Sequence, residues 1–213
     1  MAVATRVPLT RDRILDAALS LVDEHGLEAL SMRKLGAALG VEAMSLYNHV
    51  DNKDDVLDGI FDLVLREVPM PEPHLAWDEQ LRMLARGMRS AGLSHPGVLP
   101  MWGSRPIRSV EAFAPLERAY DILRTAGLDP DAALDAFLAL CSFVLGRIMM
   151  DMSASLTVPT ADPVDLSGIS LEAHPRLVEL QGAVARTQSL REFERGFDLL
   201  LQGLRGLFVQ SDR

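Results

Sequence analysis

The chain has 213 residues, 48% hydrophobic and 24% charged, with a formal net charge of −9. This composition can bury a core, which excludes an intrinsically disordered chain, and the negative charge excludes binding nucleic acid by bulk attraction. The one cysteine, Cys141, excludes an intrachain disulfide. Aromatic residues are sparse, and no uninterrupted run of about 18 apolar residues or signal-peptide pattern is present. We therefore expect an all-α, cytoplasmic protein without a membrane segment.

Apolar residues recur at helical spacing between capping and stop signals in the first part of the chain. The predicted helices begin and end at Thr10 and Gly26, at Ser31 and Gly40, at about Ala43 and His49, and at Asp51 or Asn52 and about residue 66. Prolines 69, 71 and 73 then interrupt the pattern. We expect a domain boundary there, giving domains 1–68 and 69–213.

The second domain is also predicted to be helical. Its expected elements are helices at 77–92, 109–126 and 130–154, a short helix or loop at 95–106, a loop rich in Ser, Pro, Thr and Asp at 155–173, and helices from about 175 to 209 with a break near Ser189. Alternation typical of strands is missing throughout.

The charge of the first domain is unusual for a domain that would bind DNA. Residues 1–66 contain 7 Lys and Arg against 11 Asp and Glu, so the segment sums to −4. Any contact with phosphates would have to come from a few cations placed locally.

Residues 31–53 nevertheless read as two short helices joined by a tight turn. Gly40 tolerates the backbone conformation of that turn, and Val41 would fill the space between the helices. Four apolar residues would pack inward: Leu35, Leu39, Leu46 and Val50. The outer face of the second short helix would then carry Ser45, Tyr47, Asn48 and His49, as a reader of the major groove requires. Lys53, at the start of the next helix, is placed to meet a phosphate.

These residues resemble the DNA-binding head of the tetracycline-repressor family. Met-Arg-Lys-Leu, Leu-Gly-Val-Glu, Ser-Leu-Tyr, His-Val and Asn-Lys stand in register with the family pattern between about Thr10 and Val68. Shorter segments at 103–106, 116–120, 126–128 and 143–146 look like pieces of the tetracycline-binding regulators. The resemblance implies a helix-turn-helix head followed by a larger helical domain for ligand binding and dimerisation. It also implies a homodimer on a palindromic double-stranded operator, released by a small-molecule inducer.

Carried over by position, the family's DNA contacts fall on eight residues: Arg33, Ala43, Met44, Ser45, Tyr47, Asn48, His49 and Lys53. Tyr47 and His49 would contact phosphate and sugar, and Arg33 a base edge or a phosphate. Ala43 and Met44 could meet a thymine methyl and Asn48 an adenine edge. Because Ala43 replaces the amide side chain of the tetracycline repressors, we expect a different operator sequence.

The second domain departs from the tetracycline repressors at their metal site. Met101 and Met150 occupy the positions of the family's His and Glu, and thioethers do not suit Mg²⁺. We therefore expect no metal, no cofactor and no magnesium-bound tetracycline. The same register implies a pocket for a largely hydrophobic inducer. The pocket would be lined by Leu84, Met88, Met101, Trp102, Arg105, Leu116, Ala119, Tyr120, Leu134, Phe137, Cys141 and Met149. Arg105 would face an anionic or carbonyl group, or would instead pair with Glu111 or Glu117.

In the family the two long helices near the C-terminus form a four-helix bundle with the partner, which predicts that helices 130–154 and 191–209 dimerise here. Gly196, Gly203 and Gly206 fit close helix packing. Alternatives that remain are an activator, a regulator whose ligand promotes DNA binding, and a helical scaffold that binds only protein. A small helical enzyme is disfavoured, because neither a nucleophile signature nor a phosphate loop nor metal-ligand spacing is found.

Overall fold

The computed structural model describes residues 8–156, 176 and 189–208. Within these residues the protein consists of helices and turns without a strand, so the predicted all-α fold is confirmed. The helices are α1 Arg11–His25, α2 Met32–Leu39, α3 Ala43–Leu46, α4 Lys53–Arg66, α5 Trp77–Ser94, α6 Val110–Thr125, α7 Pro130–Leu156 and α8 Ser189–Phe208, with 3-10 turns at Leu27–Ala29 and Pro96–Met101.

Side-chain caps define where the first helices begin. The hydroxyl of Thr10 accepts a hydrogen bond from the backbone N–H of Arg13 at 3.3 Å and starts α1. The hydroxyl of Ser31 does the same for α2, at 3.3 Å from the N–H of Lys34. Asn52, rather than Asp51, caps α4. Each cap satisfies a donor that the first turn of a helix leaves unpaired.

The helix boundaries differ from the sequence expectations at three helix ends, one of which is that of α5, which continues to Ser94 instead of about Gly92. The third helix ends at Leu46 instead of continuing to His49, because the chain turns there to bury Val50 and to reach the cap of α4. The long helix α7 continues to Leu156, two residues beyond the expected end. Residues 155 and 156 of the loop expected at 155–173 are therefore helical; the rest of that loop and the helix expected to resume near residue 175 lie outside the described residues, apart from helical Arg176.

The chain divides into two compact units, residues 1–122 and 123–213. In the first unit, helices α1 to α4 enclose a hydrophobic core that also includes residues of α5, of the turn Pro96–Met101 and of early α6. Its fully buried members include Ile14, Leu35, Leu46, Ile60 and Val98. The division into functional domains at residue 68 stays a prediction.

In the second unit α8 packs on α7 through an aromatic cluster. The ring centroid of Phe143 lies 5.8 Å from that of Phe193 and 6.1 Å from that of Phe197. A Cβ at Gly196 would lie 2.6 Å from Cζ of Phe143, so a larger residue there would require the Phe143 ring to shift. At Gly196 the helix that approaches is α7 of the same chain, and close packing of a partner's helix at Gly203 and Gly206 stays a prediction.

One stretch of α7, Pro130–Met152, is long and apolar enough to cross a membrane by length and composition alone, with a mean hydropathy of 1.8. Asp135 and Arg147 lie within it, and Arg147 pairs with Asp151 at 3.1 Å. A core helix of a globular protein has the same composition, so this stretch does not indicate a membrane protein.

Candidate nucleic-acid interface

The turn between α2 and α3 is made by two glycines. Gly40 has φ 68° and ψ 32°, in the left-handed region that favours glycine, as the sequence predicts. Gly36 is buried in the middle of α2, and its carbonyl accepts the N–H of Val41 at 2.9 Å. A Cβ at Gly36 would lie 2.9 Å from the carbonyl oxygen of Val41 and 3.1 Å from the backbone nitrogen of Ala43. Gly36 therefore allows the start of α3 to approach α2.

The described side chains around α3 separate into an inner and an outer set. Leu46 and Val50 are buried at 0% and 2% exposure. The outer set holds six of the eight candidate DNA contacts, of which Met44 (75%), Tyr47 (44%), Asn48 and His49 are exposed and Ala43 and Ser45 half-buried. The structure places Tyr47, Asn48 and His49 in the turn after α3 rather than on the helix itself. The surface is accessible, and its contact with DNA stays a prediction.

The remaining two candidates, Arg33 and Lys53, are exposed in the first turns of α2 and α4. A cation at a helix start adds its charge to the unpaired N–H groups there, and together they suit a phosphate oxygen. Lys53 is the first residue of α4 and directly follows its cap residue, Asn52. Its position relative to α3 is therefore set by the turn at 47–52.

A charged pair that the sequence analysis missed fixes that turn. Arg11, the first residue of α1, donates two hydrogen bonds of 2.7 Å to the two carboxylate oxygens of Asp55. Asp55 also accepts the backbone N–H of Asp51 at 2.9 Å. The Arg11 guanidinium lowers the pKa of Asp55 below its usual value, and Asp55 raises the pKa of Arg11. The two hydrogen bonds between Arg11 and Asp55 thus join the start of α1 to the start of α4, beside Lys53.

Two of the acidic residues that make residues 1–66 negative lie on another side of α4. Asp58 and Asp62 are 5% and 7% exposed and face the segment that precedes α6. Asp58 accepts hydrogen bonds from Arg105 at 3.3 Å and from Arg108 at 3.0 Å. Asp62 accepts the backbone N–H groups of Arg108 at 3.1 Å and of Ser109 at 2.7 Å. Both carboxylates are therefore satisfied internally, Asp58 by two arginines outside the head and Asp62 by two backbone N–H groups.

Arg105 is the candidate ligand residue whose surroundings are best defined. Its guanidinium also donates to Asp54 at 2.7 Å, and this carboxylate raises the pKa of Arg105. Of the two roles considered for it, the structure shows an ion pair, with Asp54 and Asp58 as partners in place of Glu111 or Glu117. A role in ligand contact stays a prediction.

The other candidate ligand residues differ widely in exposure. In the first unit Leu84 and Met101 are buried, Trp102 meets Phe61 edge-on at 5.4 Å between centroids, and Met88, Leu116, Ala119 and Tyr120 are half-buried. In the second unit Leu134 (48%) and Met149 (63%) are exposed, whereas Phe137 and Cys141 are half-buried. Burial raises the pKa of the Cys141 thiol to about 11, which favours the protonated thiol at neutral pH.

Comparison with known proteins agrees with this geometry. The family model described as "Bacterial regulatory proteins, tetR family" matches residues 14–60, and "Tetracyclin repressor-like, C-terminal domain" matches residues 70–207. The class D tetracycline repressor of Escherichia coli is 30% identical and covers 92% of both chains. An HTH-type transcriptional regulator of Saccharopolyspora erythraea is 37% identical over 68% of this chain, but the match spans only 61% of that relative's length.

Among solved structures, apo ActR of Streptomyces coelicolor is similar at 33% identity, with a TM-score of 0.81 and coverage of 99% of this chain and 100% of ActR. ActR has also been solved in complex with actinorhodin; that structure is 34% identical, with a TM-score of 0.80, and covers 94% of this chain and 98% of its own. The two family models together span the head with its α2–α3 turn and nearly all of the remaining helices. The chain belongs to the tetracycline-repressor family of bacterial transcriptional regulators.

Proposed function

We propose that the protein is a repressor that binds a palindromic operator as a homodimer in the cytoplasm and leaves it when a small, largely hydrophobic inducer binds. The observation that carries the proposal is the α2–α3 turn. Gly36 and Gly40 bring two helices together so that Met44, Tyr47 and the residues beside them stay accessible over a fully packed core. This arrangement suits insertion of α3 into a major groove.

The candidate contacts have distinct roles in this proposal. Tyr47, His49 and Lys53 bind sugar and phosphate and set the register on the duplex. Ala43 and Met44 present apolar surface, which suits a thymine methyl, and Asn48 presents an amide, which suits adenine. Arg33 reaches a base edge or a phosphate. Because the chain carries −9 overall, affinity should depend on these few cations, and the slope of log affinity against log salt should follow the number of phosphates that they contact.

Dimerisation is proposed through the second unit. Helices α7 and α8 expose large apolar side chains, among them Leu134, Leu138, Met149, Met150, Leu190 and Leu199, the last at 69%. A Cβ at Gly146, Gly203 or Gly206 would meet no atom of the described part of the chain within 4 Å, which leaves room for a partner's helix to approach closely. A soluble monomer rarely exposes so many apolar side chains on two neighbouring helices. A four-helix bundle made with the same helices of a second copy would cover them.

Helix α4 is the proposed connection between inducer and DNA. It carries Lys53 at its first residue, and its Asp58 and Asp62 hold the segment from Arg105 to Ser109. Met101 and Trp102, both candidate ligand residues, lie shortly before this segment in the chain. An inducer that displaces the segment would shift α4, and it would weaken DNA binding only by its preference for the displaced conformer.

The relatives suggest which ligands to test first. ActR was solved with actinorhodin and with (S)-DNPA. These two compounds are therefore the first probes for this chain, with magnesium-bound tetracycline as the comparison expected to have no effect.

The test is binding of the full-length protein to DNA from upstream of its own gene, followed by fluorescence anisotropy at two salt concentrations. Tyr47→Ala should abolish specific binding. Met70→Ala, an exposed apolar residue outside the candidate interface at 49%, is the matched control and should bind like the wild type. Failure of the wild type to select any palindrome would contradict the proposal. Tighter binding on adding ligand would support the co-repressor-dependent alternative instead.

A further inference from the structure

His95 lies where three helices end and contacts two carboxylates at once. It is the C-cap of α5. Its Nδ1 lies 2.8 Å from a carboxylate oxygen of Asp23, near the end of α1. Its Nε2 lies 3.1 and 3.2 Å from the two carboxylate oxygens of Glu67, the C-cap of α4. The His95 side chain is 15% exposed, whereas those of Asp23 and Glu67 are 27% and 46% exposed, so water reaches the contact with Glu67 more easily than the contact with Asp23.

The backbone after His95 is built for this close approach. Gly97 packs against the end of α1, and a Cβ there would lie 2.6 Å from Cγ1 of Val22 and 2.8 Å from its carbonyl oxygen. Val98 is fully buried. The turn that carries His95 is therefore seated on α1 by packing, which places the ring between Asp23 and Glu67 independently of their charges.

The two contacts require a doubly protonated ring. A carboxylate only accepts hydrogen bonds, and a neutral imidazole has one N–H, so both contacts are hydrogen bonds only in the imidazolium form. Other charged groups near the ring do not replace Asp23 and Glu67 as its partners. On α1, Glu24 and His25 pair with each other at 3.7 Å. On α4 the neighbouring Arg66 is exposed. On α5, Arg86 lines the same cavity as Glu67 and pairs with Glu79 at 3.3 Å, whereas residues 91–94 and the turn 96–101 carry no charge.

We propose that protonated His95 is a positioning residue for DNA binding, which clamps the ends of α1 and α4 to the end of α5. The inference rests on the proposed function, because α4 carries Lys53 at its opposite end, about 20 Å away along the helix. With the clamp closed, the head is ordered before it meets DNA. When the ring loses its second proton, one carboxylate faces a lone pair, the end of α4 loosens, and binding must then meet the cost of ordering it.

The first test compares operator affinity of the full-length wild type, His95→Gln and the control His74→Gln at about pH 6 and pH 8, where histidine changes its charge. His74 is an exposed histidine in the segment between α4 and α5. We expect His95→Gln to bind about three- to fivefold more weakly than wild type at pH 6 and equally at pH 8. His74→Gln should follow the wild type at both. An equal effect of His95→Gln at the two pH values would overturn the clamp.

A second variant separates protonation from packing. In the double variant Asp23→Asn, Glu67→Gln the ring keeps its size but loses both carboxylates, so the variant should show the pH profile of His95→Gln. A wild-type profile in this variant would also overturn the proposal, since a space-filling role for His95 needs no carboxylates.

Thermal unfolding distinguishes failure of the clamp from failure of the DNA-binding proposal. Both contacts can be hydrogen bonds in the imidazolium form but only one in the neutral form, so the clamp is complete only when the ring carries both protons. The Tm difference between wild type and His95→Gln should therefore be larger at pH 6 than at pH 8, whether or not DNA binds. If no operator is bound but this difference is seen, the proposed function fails and the clamp stands. Equal Tm differences at both pH values refute the clamp.

Discussion

Replacing Gly36 by alanine tests the packing that presents the reading surface. The added Cβ would lie 2.9 Å from the oxygen of Val41 and 3.1 and 3.2 Å from backbone atoms of Ala43. All three are main-chain atoms and cannot rotate away, so α3 must move from α2 by a few tenths of an ångström. Such overpacking costs about 1–3 kcal/mol, whereas the better helix propensity of alanine returns up to about 1 kcal/mol. We expect a net loss of about 1–2 kcal/mol and weaker operator binding.

The assay is thermal unfolding together with anisotropy on the operator. A net loss of this size lowers the Tm of a chain of this length by about 2–8 °C. Ala37→Gly, at an exposed position of the same helix, measures the propensity contribution alone and should cost about 1 kcal/mol without weakening DNA binding beyond the loss of stability. If Gly36→Ala were as stable as the wild type and bound the operator equally well, the close approach of α2 and α3 would not matter and the reasoning would be wrong.

Three other predictions concern the head and the dimer. Because Arg11 lowers the pKa of Asp55, this pair contributes stability above the unfolded pKa of about 3.9 and loses it as pH falls through the lower folded value; Asp55→Asn should remove that part of the acid dependence, and an unchanged acid limb would refute it. Lys53→Ala should reduce the slope of log affinity against log salt by about 2, about one for each subunit of the proposed dimer, whereas Arg66→Ala, the same charge change at the far end of α4, should leave it unchanged; equal slopes in both variants would count against a phosphate contact at Lys53. Leu199→Glu places a charge on the exposed apolar face of α8 and should shift the protein from dimer to monomer in analytical ultracentrifugation, and a dimer that persists would move the proposed interface elsewhere.

Features that depend on neighbours along the chain are predictable from the amino-acid sequence. The caps Thr10 and Ser31 and the left-handed turn at Gly40 arise from local hydrogen bonding and backbone sterics, and the structure has them as expected. The burial of the inner set, Leu46 and Val50, follows from the spacing of apolar residues in the sequence. The family pattern added the candidate contacts, whose exposure agrees with a reading surface and whose binding is still to be measured.

Helix ends are less predictable, because they depend on tertiary contacts of the residues beyond them. Helical spacing alone extends the third helix to His49. The chain instead leaves the helix at Tyr47, since burying Val50 and reaching the cap Asn52 require a turn there. Tertiary burial therefore outweighs local helix propensity at this position.

The order of the helices, their caps and a turn that suits a groove reader are properties of the sequence alone. Which distant charges meet is decided by the tertiary fold. Arg11 and Asp55 are 44 residues apart, Arg105 and Asp58 are 47 apart, and His95 and Asp23 are 72 apart. No spacing rule connects such pairs, because their partners depend on how helices pack side by side. For that reason the sequence shows an acidic head that argues against DNA binding, whereas the fold shows that several of its carboxylates are bound internally.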